Sequence, residues 1–508
     1  MPADRSATFD FRNVARAHGL GVRGLDVPRR SEQYEGRFGR MFRSLPAAEH
    51  EPADLVALGN AMTAAPEDDS DENVIDPEEN RGIAAGYTYV GQFIDHDITF
   101  DPASSLQKQN DPDGLVDFRT PRFDLDSVYG RGPDDQPYLY EPDGRHLLIG
   151  DPLTGNPDDP DTRDLPRNSA EPARALIGDP RNDENVIVSQ LHGIFVRFHN
   201  HVADLFPSAT FAEIQRIVRW HYQWAVLHDF LPTVAGEDNV FAVMPSLKHD
   251  TSIYKHPANL RFFHWRDEPF MPIEFSVGAY RFGHSMVRPQ YRLSVGLPPR
   301  FPIFSVDELD LRGFQRFPSV WAIEWKLFFP INSGTPDVGP TRVQPAYKID
   351  TSLVDPLRNL PFITDGFPSL AERNLRRGRT MGLPSGQTIA RHMCIDPIPD
   401  DELRVGKATE EDTPNNPRLV DISPRFADNA PLWYYVLAEA QQQFRDNDTK
   451  IHLGPVGGRI VTEVIAGLIL GDKHSYLSQQ PCWKPLFERH GKFGFAELIL
   501  VATGKLGI

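Results

Sequence analysis

Apolar residues recur with the 3.6-residue period of a helix in three stretches, and this limits the fold more than any other feature of the chain. In residues 184–205, Val188, Leu191, Ile194, Phe195, Phe198, Val202 and Leu205 fall on one face. Ile214, Ile217, Val218, Ala225 and Leu231 continue the pattern up to Pro232, and Ile460, Val461, Val464, Ile465 and Leu468 carry it after a Gly454-Pro455 helix start. Each stretch predicts a buried helix. The period-2 alternation of half-buried strands is scarce. The expected fold is therefore mainly α, with little β and with long ordered loops where the 46 prolines and 38 glycines cluster.

The loops are acidic. PEDDSDENVIDPEEN closes the first 80 residues, and PDDQPYLYEPDG and NPDDPDTRDLP follow within residues 101–170; all three read as irregular, solvated chain. This suggests an N-terminal arm over residues 1–80 and one domain over 81–508. A formal charge of -18 argues against a nucleic-acid backbone or an anionic membrane as partner. Two cysteines, Cys394 and Cys482, are too few for a disulfide framework, although they leave a single bridge open. The N-terminus MPADRSATFDFRN lacks a secretory apolar run, and no segment nears the roughly 18 apolar residues of a membrane span. A soluble protein is expected, cytoplasmic or exported without a recognisable signal. Oligomeric state leaves no trace in the sequence.

On a helical wheel of Tyr87 to Asp97, Tyr89, Val90, Phe93 and Ile94 form one face, and Gln92, Asp95 and His96 gather on the other. An amphipathic surface helix with an incidental histidine fits this spacing as well as a functional one does. Asp97 constrains it further, because the wheel puts its carboxylate in the apolar face, where an unpaired charge costs several kcal/mol. A calcium ion, bound by six to eight oxygens, would answer that charge. The stretch Thr120-Pro-Arg122-Phe-Asp124-Leu-Asp126 offers a hydroxyl, the Arg122 carbonyl and two carboxylates at alternate positions, although alone it also reads as an ordinary acidic turn.

Five segments then match a known family in order. GQFIDHDITF resembles the distal-helix motif of the animal-type haem peroxidases, within the peroxidase-cyclooxygenase superfamily, and TPRFDLDSVYG resembles their calcium loop. GDPRNDENVIVSQLHGIFVRFHN is similar to the segment carrying their catalytic arginine, AYRFGHSMVRP to their proximal-histidine motif, and RNLRRGRTMGLPSG to its support. The resemblance implies the helical haem-peroxidase fold, with haem b buried between distal and proximal helices. It also implies an enzyme that reduces hydrogen peroxide and oxidises small halide, thiocyanate or phenolic donors through a ferryl intermediate.

It assigns roles residue by residue. His96 matches the distal base, which takes a proton from one peroxide oxygen and returns it to the other. Arg181 matches the arginine that stabilises the departing oxygen, and Gln92 would orient water or a halide. His284 matches the iron ligand, and Asn374 the residue that fixes its ring. Arg281, three residues before His284, and Arg377 are candidates for the haem propionates. Asp97, Thr120, Arg122, Asp124 and Asp126 would hold calcium. Asp95 and Glu184 stand where the family can form ester bonds to haem, Glu184 in phase with the apolar face of its helix. Asn185 stands where some members carry a haem-bonded methionine, so no sulfonium link is expected and chloride oxidation is in doubt.

Three rivals have other signatures. A fatty-acid dioxygenase or cyclooxygenase would need a radical tyrosine beside the haem and a long apolar channel, and no tyrosine stands in that family-like context near the proximal motif. A metal-dependent hydrolase would need histidine ligands gathered from scattered positions. The third is a non-enzymatic haem- or calcium-binding protein.

Overall fold

A computed structural model describes residues 36–66, 71–99, 116–117, 120–297, 300–307, 309–363 and 366–507. The readings of the N-terminus, of residues 101–115 and of part of the first acidic run, 67–70, lie outside these residues. Eight helices of eight or more residues appear among those described: α1 (Pro52–Ala61), α2 (Gly86–Ile98), α3 (Val186–Leu205), α4 (Phe211–Ala225), α5 (Leu370–Thr380), α6 (Leu432–Gln441), α7 (Pro455–Gly471) and α8 (Phe495–Ala502). Strands are short. Gly36–Gly39 lies between Val116–Asp117 and Met271–Pro272, Glu79–Ala84 pairs antiparallel with Pro345–Tyr347, and Gln290–Tyr291 pairs with Phe301–Pro302. The fold is mainly helical, as the periodicity predicts.

α2, α3 and α4 meet through aromatic rings. Phe93 stacks on Phe195 at 4.4 Å between centroids, and Tyr222 meets both edge-on at 6.1 and 5.4 Å. Each such pair contributes about 0.5–1.5 kcal/mol beyond simple burial. α3 begins at Val186 rather than 184, because the Asn185 side chain accepts the Ile187 and Val188 amides and caps the helix there. α4 opens on a Thr210/Glu213 capping box. Its apolar pattern runs on to Pro232 because a π turn, Val226–Phe230, widens the helix just before the proline, which can offer no N–H to the preceding turn. α7 starts at Pro455 after Gly454, as expected.

The acidic loops are less solvated than their composition suggests. Glu79 and Asn80, the end of the first run, lie buried in a strand, and Glu79 sits 2.8 Å from Arg288 and 2.5 Å from Arg342. Asp159 is held by Arg197 and Asp164 by Arg167. A buried carboxylate persists where an arginine fork satisfies it, and composition alone does not show which acids have one. Residues 38–62 also contribute to the main core, through Phe38, Met41, Phe42, Leu55, Leu58 and Met62. Cys394 and Cys482 are both free and exposed. No helix among the described residues is long and apolar enough to cross a membrane.

Candidate active site

One cavity of about 740 Å³ collects most of the predicted site residues: Gln92, Asp95, His96, Arg181, Glu184, Arg281, His284, Asn374 and Arg377 all line it. α2 supplies the first wall. Val90, Phe93 and Ile94 are buried away from the cavity, while Gln92, Asp95 and His96 line it, joined by Tyr89, which the wheel had put on the apolar face.

His96 is buried, and its Nδ1 lies 2.9 Å from Asn182 Oδ1. The Asn182 Nδ2 lies 3.0 Å from His192 Nδ1, so the three buried side chains form a line behind the cavity. Burial first, then the Arg181 charge, lowers the His96 pKa to about 4, which keeps the imidazole neutral near pH 7. Its Nε2 has no hydrogen-bond partner among the described residues. Asn182 and His192 were not singled out in the sequence.

Arg181 lies in a 3-10 turn, Pro180–Asp183, entered through Asp179. The buried Asp179 carboxylate accepts Arg181 Nη2 at 2.8 Å, and Nη2 also donates to the carbonyls of His96 and Thr99 at the end of α2. Arg181 is thus tied to the helix that carries His96. Asp95 lies 4.0 Å from it. Glu184 follows the same turn, ahead of α3 and not on its apolar face, because Asn185 takes the cap position. Its carboxylate accepts Gln92 Nε2 at 2.9 Å, and Gln92 Oε1 accepts Asn185 Nδ2 at 3.1 Å. Gln92 is therefore clamped, and burial raises the Glu184 pKa.

The wall bearing His284 is a π turn, Glu274–Gly278, followed by a 3-10 helix, Ala279–His284. In a 3-10 helix residues three apart eclipse, which brings Arg281 and His284 to one side. Asn374, on α5, places Nδ2 2.8 Å from His284 Nδ1, while its Oδ1 accepts Arg281 Nη1 at 3.4 Å. His284 Nε2 has no hydrogen-bond partner among the described residues. Ligation through Nε2 would require a proton on Nδ1, with the Asn374 amide turned so that its oxygen faces the ring. Tyr280 also lines the cavity and donates to the Gly91 carbonyl of α2 at 3.3 Å. Tyr280, the tyrosine of the AYRFGH motif itself, thus stands at the cavity, although its sequence context is not that of a radical tyrosine.

Behind α2, Asp97 is fully buried. One carboxylate oxygen each of Asp97, Asp124 and Asp126 come within 4.8 Å of one another. Burial, then Asp124 and Asp126, push the Asp97 pKa well up. Ser127, which was not singled out, donates Oγ to Asp97 at 3.0 Å. Thr120 donates to Asp124 at 3.1 Å, and the Arg122 side chain turns away to Glu268. A Cβ on Gly178 would lie 2.4 Å from the Asp126 carbonyl, so only glycine lets the Arg181 segment run against this loop.

A family model described as animal haem peroxidase matches residues 105–400. Among curated proteins, the chain is 28% identical over 270 residues to a peroxidase-like protein of Margaritifera margaritifera, covering 49% of this chain and 30% of that one. It is 25% identical over 278 residues to thyroid peroxidase of Rattus norvegicus, covering 52% and 28%. The chain thus spans about a third of the length of these relatives. Among solved structures, peroxidase A of Dictyostelium discoideum aligns with a TM-score of 0.57 at 17% identity, over 94% of each chain. A fatty acid alpha-dioxygenase of Arabidopsis thaliana aligns with a TM-score of 0.54 at 14% identity, over 91% of this chain and 75% of that one. These likenesses show the peroxidase-cyclooxygenase fold. The family match covers more than half of the chain, and the chain belongs to the animal haem peroxidase family.

Proposed function

We propose that the chain is a haem peroxidase that reduces hydrogen peroxide and oxidises small donors, with bromide, iodide, thiocyanate and phenols the best candidates. The observation that carries this reading is that His96 and His284, from separate elements, share one cavity of cofactor size with no hydrogen-bond partner on either Nε2. The cavity chemistry fits haem b: His284 would ligate its iron, Asn374 would orient the imidazole, and Arg281 and Arg377 would offer cations to the two propionates. When bound, haem supplies the redox-active iron at which the peroxide O–O bond is cleaved.

The chain's own residues do the rest. His96 accepts a proton from one peroxide oxygen at Nε2 and delivers it to the other, which leaves as water. Arg181, fixed by Asp179, stabilises negative charge on that departing oxygen. Gln92, clamped by Glu184 and Asn185, orients water or a halide. Asp95 and Glu184 line the cavity as carboxyls able to esterify haem methyl groups under peroxide. Asp97, Asp124 and Asp126, with the Thr120 hydroxyl and the Arg122 carbonyl, form a calcium site; the fit rests on a buried carboxylate facing two others.

The test is the absorption spectrum of the purified protein together with peroxide-dependent oxidation of a neutral phenol. A Soret band with oxidation is expected, and His96→Ala should keep the band while losing rapid peroxide cleavage. A band without any peroxide-dependent oxidation overturns the reading. Haem that resists acid-acetone extraction only after peroxide supports the ester links; haem that always extracts rejects them. Tyr280 favours a second reading, an oxygenase, whose mark is oxygen uptake with a fatty acid and no peroxide, abolished in Tyr280→Phe.

A further inference from the structure

Three arginines, Arg281, Arg373 and Arg377, line the cavity on the side of His284 and Asn374. Haem carries two propionates, and Arg281 and Arg377 suffice for them. Arg373 is left over. Among the described residues its one hydrogen bond is long, from Nη1 to the Phe367 carbonyl at 3.4 Å, and no carboxylate pairs with it. It is half-buried with no opposing charge among the described residues, and burial first, with the Arg373 charge adding to it, lowers the pKa of the neighbouring Arg281. Two guanidinium groups close enough to oppose each other, one lacking a counter-ion among the described residues, leave this wall short of negative charge.

The surroundings of Arg373 are apolar. Phe304, Phe362, Ile363, Phe367 and Leu370 line the same cavity. Phe304 and Phe362 meet edge-on at 5.4 Å, and Phe304 is 9% exposed while Phe362 is 40% exposed. An aromatic wall therefore runs from the cavity to solvent and marks its mouth. A cation beside an aromatic wall suits a ligand with a flat apolar body and one negative charge.

We propose that Arg373 and this rim form a donor subsite for aromatic monocarboxylates, with the carboxylate on the Arg373 guanidinium and the ring against Phe304 and Phe362. The subsite rests on the peroxidase reading for its use. Each peroxide takes up two electrons and two protons to become two waters, and two phenolic donors each lose one electron and one proton to become phenoxyl radicals. Arg373 takes no part in that transfer. It selects which donor arrives.

The experiment compares 4-hydroxyphenylacetate with its neutral amide on the haem-loaded protein. Binding to the ferric protein without peroxide is read by difference spectroscopy, and KM by steady-state oxidation. Arg373→Gln should raise both Kd and KM for the carboxylate about tenfold, the size of one lost charge-assisted hydrogen bond. The amide values and the Soret band should not move. Arg373→Lys should recover part of the loss. Arg379→Gln, altering an exposed arginine bound to the His50 carbonyl, should change nothing. Phe362→Ala should weaken acid and amide alike. The subsite is overturned if Arg373→Gln sheds haem or shifts its spectrum, which would make Arg373 a propionate ligand, if acid and amide weaken equally, or if neither changes. Failure of the wild type to oxidise either compound with peroxide sinks the peroxidase reading, and the binding titration still decides the subsite.

Discussion

A histidine acts as a base through the nitrogen that lacks a proton, so whatever touches its other nitrogen decides whether it can act at all. For His96 that contact is Asn182 Oδ1 at 2.9 Å, and Asn182 is itself oriented by His192 at 3.0 Å. With the amide oxygen toward His96, Nδ1 carries the proton and Nε2 is left to receive one. Asn182→Ala should slow the reaction with peroxide on the order of ten- to a hundredfold, measured by stopped flow, with little change in the ferric spectrum. An unchanged rate would mean that His96 holds its tautomer without help. The sequence marked His96 and Arg181 because they sit in a recognisable motif. It did not mark Asn182, His192 or Asp179, since each matters through a contact made only after folding; Asn182 lies 86 positions from His96.

Helices were legible from apolar period and their ends were not, because an end is set by local hydrogen bonding rather than by which face is buried. Glu184 is in phase with the α3 face, yet the helix starts two residues later, where Asn185 caps it. Asn185→Ala should cost about 1 kcal/mol of stability, read as a lower Tm. It should also loosen Gln92, which loses its Nδ2 partner. A second junction titrates. Glu439 of α6 accepts the amides of Val456 and Gly457 at the start of α7, and burial raises its pKa to about 7 despite those bonds. A carboxyl raised on folding contributes its stability fully below its unfolded value near 4.5 and loses it as pH rises through the folded value. Unfolding measurements should therefore show this contribution falling between about pH 4.5 and 7, by roughly 3 kcal/mol. Glu439→Gln should flatten that part of the profile, and an identical slope in the variant would assign it to other groups.

Across the whole molecule, the acidic group behind α2 joins three pieces of chain that the sequence keeps far apart. Asp97 comes from the helix that carries His96, and Asp124 and Asp126 from the loop, against which Gly178 packs the segment carrying Arg181. The proposed calcium ion would bridge the helix and the loop through these three carboxylates. Without one, burial and then the charges of Asp124 and Asp126 push the Asp97 carboxyl up; a bound calcium ion needs it ionised, so affinity should fall as pH falls. Chelation should lower the Tm, and saturating calcium should restore about 2.7 kcal/mol at a hundredfold excess over Kd. Because the same ion would brace the His96 helix and the Arg181 segment, chelation or Asp97→Ala should also disturb the haem spectrum, although Asp97 does not line the cavity. Chelation that lowers the Tm and leaves the spectrum intact would confine the ion to stability. A protein indifferent to chelator in both measurements would mean that the three carboxylates are satisfied by protons and by the Ser127 hydroxyl.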